Sequence, residues 1–203
     1  MASKLAEDPR IDPRLKAAFG RLGVLTATGD VASREDMLAA ANSESGKKQA
    51  AAMAAWADAF DNETVAPSAG LSIRTERVVS APDGNTINIQ FIRPDNAALV
   101  PCIYYIHGGG MAFMSCYSGN YRAWGKIIAA NGVAVAMVDF RNALIPSSVP
   151  EVAPFPAGLN DCVSGLKWVH ANSKALNIDP ARIIVAGESG GGNLTLATGL
   201  KLK

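Results

Sequence analysis

Ser189 stands in the run Gly187-Glu188-Ser189-Gly190-Gly191, and a second glycine run, His107-Gly108-Gly109-Gly110, lies upstream of it. A serine between glycines, on a tight turn from a strand into a helix, can present its Oγ as a nucleophile. Three glycines after an apolar run let the backbone approach a ligand closely and aim N–H groups at a developing oxyanion. Together the two runs hold the parts for acyl transfer through a tetrahedral intermediate. Gly-x-Ser-x-Gly alone is weak, since it arises by chance in roughly one of eight sequences of this composition. Its bland reading is a glycine-rich turn that packs tightly or holds phosphate. His-Gly-Gly-Gly is rarer, on the order of one in six hundred by the same product of frequencies.

Both runs follow apolar segments that read as strands. Cys102 to Ile106 enters the first and Arg182 to Ala186 the second, with a helix from Asn193 to Leu202 after it. Between them the pattern predicts a helix over Tyr121–Asn131, a strand over Val133–Phe140 covered on both faces, and a helix over Ala157–Leu176. In that last helix Leu159, Val163, Leu166 and Val169 lie on the inner side. Asn142 to Pro156 is a proline-rich loop, and Ile73–Val79 and Ile87–Ile92 form a hairpin across Pro82-Asp83-Gly84-Asn85. Alternating strands and helices imply right-handed crossovers and a mostly parallel sheet in an α/β fold. The first 66 residues read as helical. One helix opens at Asp12-Pro13 with Leu15, Ala18, Phe19 and Leu22 at helical spacing; a second is capped by Ser33 and runs to about Ala41. A third runs from about Ser45 to Phe60 with Met53, Trp56 and Phe60 on one face, and Pro67-Ser68-Ala69-Gly70 ends the pattern. The expected division is therefore a helical region over 1–66 and a core over 67–203.

Tyr105-Ile106-His107-Gly108-Gly109-Gly110, Asp139-Phe140-Arg141, Pro154-Phe155-Pro156-Ala157 and Ala186-Gly187-Glu188-Ser189-Gly190-Gly191-Gly192-Asn193-Leu194 together resemble the hormone-sensitive-lipase branch of the α/β-hydrolases, the bacterial family IV esterases. The resemblance covers about residues 70 to 203. It implies an α/β-hydrolase fold with an N-terminal helical cap and a serine carboxylesterase acting on short- to medium-chain esters through an acyl-enzyme. It makes Ser189 the nucleophile, the N–H groups of Gly109, Gly110 and Gly190 the oxyanion hole, and His107 a brace for its loop. Asp139 and Arg141 are expected to form an ion pair. Met111 departs from the family's usual aromatic, Glu188 from its usual Asp, and Asn142-Ala143-Leu144-Ile145 from its usual loop; pocket shape is where these differences act.

The family's triad runs serine, acid, histidine, yet residues 190–203 contain no His, Asp or Glu. The acid and base are therefore expected beyond Lys203, in a longer esterase of which this is the N-terminal part, and these 203 residues alone are expected to turn over little. His170 reads as structural. The alternative is a non-catalytic binding protein for small molecules that keeps the pocket without a full triad; amides, lactones or carbamates are further substrates that such a triad could take.

Composition narrows the partners. A net charge of +1 with no basic run longer than Lys47-Lys48 argues against nucleic acid. The three scattered cysteines, Cys102, Cys116 and Cys162, suit a reducing compartment; with two histidines and no metal spacing, neither a metal nor another cofactor is expected. Met1–Pro13 has no apolar stretch of a secretory signal, and no apolar run reaches the ~18 residues of a membrane span, so the expectation is a cytoplasmic protein. The partner is a small-molecule ester, and any homodimer would form through segments outside this chain.

Overall fold

The computed structural model describes residues 8–19, 32–96 and 98–203. They fall into two compact units, Met1–Met37 and Leu38–Lys203. In the first, α1 (Pro13–Phe19) opens as Asp12-Pro13 predicts. Asp12 Oδ1 takes the Arg14 N–H at 2.8 Å, and Pro13 occupies the first position, where no N–H is needed. The expected continuation to Leu22 lies outside the described residues. α2 (Arg34–Asn42) straddles the division, with Ser33 Oγ accepting the Asp36 N–H at 3.1 Å as the expected N-cap.

In the second unit, α3 (Glu44–Asp58) starts earlier than Ser45, because Ser43 caps it by accepting the Gly46 N–H at 3.0 Å. Its apolar stripe turns outward: Met53, Trp56 and the following Phe60 are exposed, and Trp56 and Phe60 pack edge to face. The inward face is small and polar. Ala57 is buried, and Asp58 Oδ1 accepts the N–H of Gly119, the first residue of α4 (Gly119–Ala130), at 3.0 Å. Asp61 pairs with Arg122 and, at 2.5 Å, with the buried Lys126. Burial pushes the Asp61 carboxyl up, and these two cations bring it below the usual carboxylate range. α3 is thus fastened to α4 by charge rather than by grease.

The strands are β1 (Leu71–Val79), β2 (Thr86–Pro94), β3 (Val100–Ile106), β4 (Ala134–Asp139) and β5 (Ile178–Gly187), in the order β1-β2-β4-β3-β5. β1 and β2 form the expected hairpin, β2 runs antiparallel to β4, and β3 is parallel to both β4 and β5. β4 is buried along its whole length. Its side chains alternate, Ala134, Ala136 and Val138 into one apolar cluster and Val135 and Met137 into the other. The first cluster is closed by α5 (Ala157–Ala171), through buried Cys162 and Val169 with Leu159 and Leu166 packed against it, and by Leu194 of α7 (Gly190–Leu202); Val163 of the expected inner face is buried but lies outside this cluster. The second is closed by Tyr121, Trp124 and Ala129 of α4. The predicted helix over 157–176 breaks at Asn172, and a separate turn, α6 (Ser173–Leu176), follows; Asn177 then adopts φ 53°. β5 begins four residues before Arg182 and carries Pro180 along a sheet edge, where a missing N–H is tolerated.

This topology fixes where a ligand can sit. β3 feeds α4 on one face and β5 feeds α7 on the other, so the loops leaving these neighbouring parallel strands diverge. A crevice opens at their carboxyl ends, the usual ligand position in open α/β sheets.

Candidate active site

β3 and β5 pair in register up to Ile106 opposite Gly187. The residues immediately after these partners are His107-Gly108-Gly109-Gly110 and Glu188-Ser189, so both glycine runs enter the crevice side by side. Ser189 has φ 53° and ψ −122°, a conformation that an L-residue holds only against strain, and its side chain is exposed. α7 starts at Gly190 rather than at the predicted Asn193. Glycines are poor helix formers, but a Cβ at Gly191 would collide with the Ile106 carbonyl, so packing against β3 overrides propensity.

The two runs touch backbone to backbone. A Cβ on Gly190 would stand 2.9 Å from both the Gly110 and the Met111 nitrogens. Among the described residues, no turn or loop carbonyl takes the N–H of Gly109, Gly110 or Gly190. Gly109 adopts φ 97°, and a Cβ there would run into the Phe113 carbonyl. Gly109→Ala is therefore expected to move the loop and, with the Gly109 N–H as the expected oxyanion donor, to lower kcat of the longer protein by about 10²-fold, the usual loss when one such donor is lost. Steady-state kinetics with an unchanged circular dichroism spectrum checks this.

His107 is fully buried, stacked on Phe140 with ring centroids 4.3 Å apart. Its Nδ1–H donates to the Gly108 carbonyl at 2.8 Å, and Nε2 lies 3.8 Å from Asp139 Oδ1. It cannot reach out of the core to act as base. Burial lowers its pKa below the ordinary value despite the opposing pull of Asp139, the Gly108 carbonyl and Glu188. The unfolded chain takes up this proton near pH ~6.5, whereas the folded chain resists it to lower pH. The unfolded state thus binds more protons in that window, and stability falls as pH drops through it. Urea unfolding at pH 7.5 and 5.5 is expected to show a smaller loss for His107→Gln than for the parent. The other histidine, His170, is exposed in the last turn of α5.

The expected Asp139–Arg141 pair does not form. Asp139 accepts Ser115 Oγ–H at 2.7 Å and the N–H groups of Cys116 at 2.9 Å and Ser148 at 2.6 Å. Arg141 turns instead to the buried Asp161 of α5, with Nε 2.8 Å from Oδ2, and to Asp83 and Glu151. Residues two apart share a face only within a strand, and β4 ends at Asp139. Asp161 and Tyr121 escaped the sequence reading. The phenol of Tyr121, on an otherwise apolar helix face, was the available signal, since a buried tyrosine hydroxyl needs a partner.

Beside the loop after Gly110 lies a cavity of about 630 Å³. Ala50, Met53 and Ala54 of α3 face Phe113, Met114 and Ile145 across it, and Gln49, Ser115 and Ser118 add polar atoms. Ser189 is not part of its wall; the connection to the site runs through Phe113 and Met114, which back onto Gly109.

Comparison with known proteins agrees with this geometry. Residues 103–203 match the family model of the alpha/beta hydrolase fold. The chain superposes on the esterase Est22 with a TM-score of 0.92 and 64% identity, covering 100% of this chain and 58% of that one. A brefeldin A esterase, described as a bacterial homologue of human hormone-sensitive lipase, gives 0.76 and 32%, covering 96% of this chain and 52% of its own. Carboxylesterase NlhH of Mycobacterium tuberculosis is 38% identical over 96 residues, 47% of this chain and 28% of the relative. This chain thus spans little more than half of the esterases it superposes on. With the serine elbow, the glycine loop and the parallel-strand crevice in place, the chain has the α/β-hydrolase fold and is similar to esterases of its hormone-sensitive-lipase-like branch.

Proposed function

We propose that this chain carries the nucleophile and oxyanion hole of a serine carboxylesterase. The observation that supports this most directly is the backbone contact between the elbow and the glycine loop, which sets Ser189 beside three uncommitted N–H groups. In this reading Ser189 Oγ attacks the ester carbonyl, and the N–H groups of Gly109, Gly110 and Gly190 take the negative charge on the carbonyl oxygen. The alcohol leaves, and water then releases the acid from the acyl-enzyme. Neither histidine of the sequence serves as base, His107 being sealed in the core and His170 lying on α5. The base and its acid partner come from outside the described residues.

Short- to medium-chain esters are the substrates we assign, on the strength of the apolar cavity between α3 and the loop after Gly110. Residues 1–66 are assigned to a helical cap region and 67–203 to the core, supported by the change from helix to strand at Leu71. The free, buried cysteines support a cytoplasmic location; no helix among the described residues is long and apolar enough to cross a membrane. The test is a p-nitrophenyl ester series on the complete polypeptide together with a serine-directed phosphonate. Turnover falling off at long acyl chains, with phosphonate mass found on the Ser189 peptide, is expected. Labelling at any other serine would overturn the assignment.

A further inference from the structure

Tyr121 sits where the two motifs meet. Its hydroxyl accepts the Gly108 N–H at 3.0 Å and donates to Glu188 Oε1 at 2.5 Å, with Met114 Sδ at 3.8 Å. The phenol is 4% exposed, its ring packed near Tyr105 and His107. One hydroxyl thus ties the residue after His107 to the residue before Ser189. Burial, and the bond to Glu188, push its pKa up, so it keeps the proton that this bond requires.

Glu188 reaches this position because Gly108 has no side chain. A Cβ on Gly108 would collide with Glu188 Oε1 and stand 2.9 Å from the Tyr121 hydroxyl. Gly108 is absent from the residues with left-handed φ, unlike Gly109 and Gly110, so here the missing side chain matters for space. The carboxylate occupies that space, and its length matters too. An aspartate at position 188 would end about 1.5 Å short, one carbon–carbon bond.

We infer that Tyr121 and Glu188 form a positioning pair that holds the oxyanion loop in register with the nucleophile elbow. This rests on the reading of Ser189 as the nucleophile. The pair touches no reacting atom; it sets the distance between Oγ and the N–H donors, where a misplacement near 1 Å costs about 10²-fold.

The test uses the complete enzyme. Tyr121→Phe removes the bridge and keeps the ring; kcat is expected to fall about 10-fold or more with KM within about twofold, because only transition-state interactions are lost. Glu188→Gln, whose amide oxygen still accepts the phenol proton, retains most activity, and Glu188→Asp loses as much as Tyr121→Phe. The double variant Tyr121→Phe/Glu188→Asp is expected to be no worse than either single one, the signature of a shared interaction. Parental kcat in Tyr121→Phe, or additive losses in the double variant, would overturn the inference. Should Tyr121→Phe not fold, the two Glu188 variants decide, and equal activity of Gln and Asp refutes the pair. Ser189→Ala separates the two levels. Activity surviving in Ser189→Ala defeats the esterase reading itself, whereas its loss beside an unaffected Tyr121→Phe defeats only the positioning pair.

Discussion

Ser189→Ala is expected to lower kcat of the complete enzyme by about 10⁴- to 10⁶-fold and to abolish phosphonate labelling. KM should change little, because Oγ forms its bond to the substrate only as the reaction proceeds. Stability should barely move, within ~0.5 kcal/mol, since alanine meets the same backbone strain as serine at φ 53°. Ser189→Gly makes the complementary point. It is expected to be as inactive and yet about 1 kcal/mol more stable, because glycine relieves the strain that the elbow stores. Urea unfolding alongside p-nitrophenyl ester kinetics reads both quantities. An alanine variant with parental turnover would remove Ser189 from the chemistry.

Asp161→Ala should cause the largest loss of stability, about 3–5 kcal/mol. Asp161 is fully buried on α5 and accepts five hydrogen bonds from three neighbours. Ser80 Oγ lies at 2.6 Å and Asn85 Nδ2 at 3.3 Å, and Arg141 gives its N–H at 3.0 Å and Nε–H at 2.8 Å; the fifth bond comes from Arg141 Nη2, 3.0 Å from Oδ1. Without it, Arg141, 3% exposed at its side chain, keeps only Asp83 and Glu151, both about half in solvent. A buried guanidinium deprived of its inner partner costs more than the bonds themselves are worth. The loss appears as a lower urea midpoint with an unchanged slope; a shift below ~1 kcal/mol would show that water replaces the carboxylate.

Much of this was legible in the sequence because it rests on local chemistry. A serine between glycines at a strand end, three glycines after an apolar run and a fully apolar β4 each have one good structural solution. The Leu159, Val163, Leu166 and Val169 face of α5 followed from periodicity alone. What escaped depends on tertiary neighbours. The resemblance implied an ion pair of Arg141 with Asp139, but β4 ends at Asp139 and Arg141 turns to Asp161, 20 residues away. Met53, Trp56 and Phe60 share one face as periodicity predicts, yet that face is exposed and α3 is held through Asp58 and, just beyond its end, Asp61. Tyr121 lies 67 residues from Glu188 in sequence, and no local pattern links them.

The pairing of Ile106 with Gly187 acts as a ruler for the two loops that leave it. Because the glycine loop and the serine elbow leave the sheet from partnered residues, their separation is inherited from the spacing of neighbouring strands, about 4.8 Å. A one-residue insertion in β3 beyond Cys102 would advance the loop by about 3.3 Å and turn its donors to the opposite face. The irregular pairing between Val100 and Cys102 lies at the far end of the same strand. Length changes there can be absorbed without disturbing the site, so the protein's tolerance to insertion should differ sharply between the two ends of a seven-residue strand.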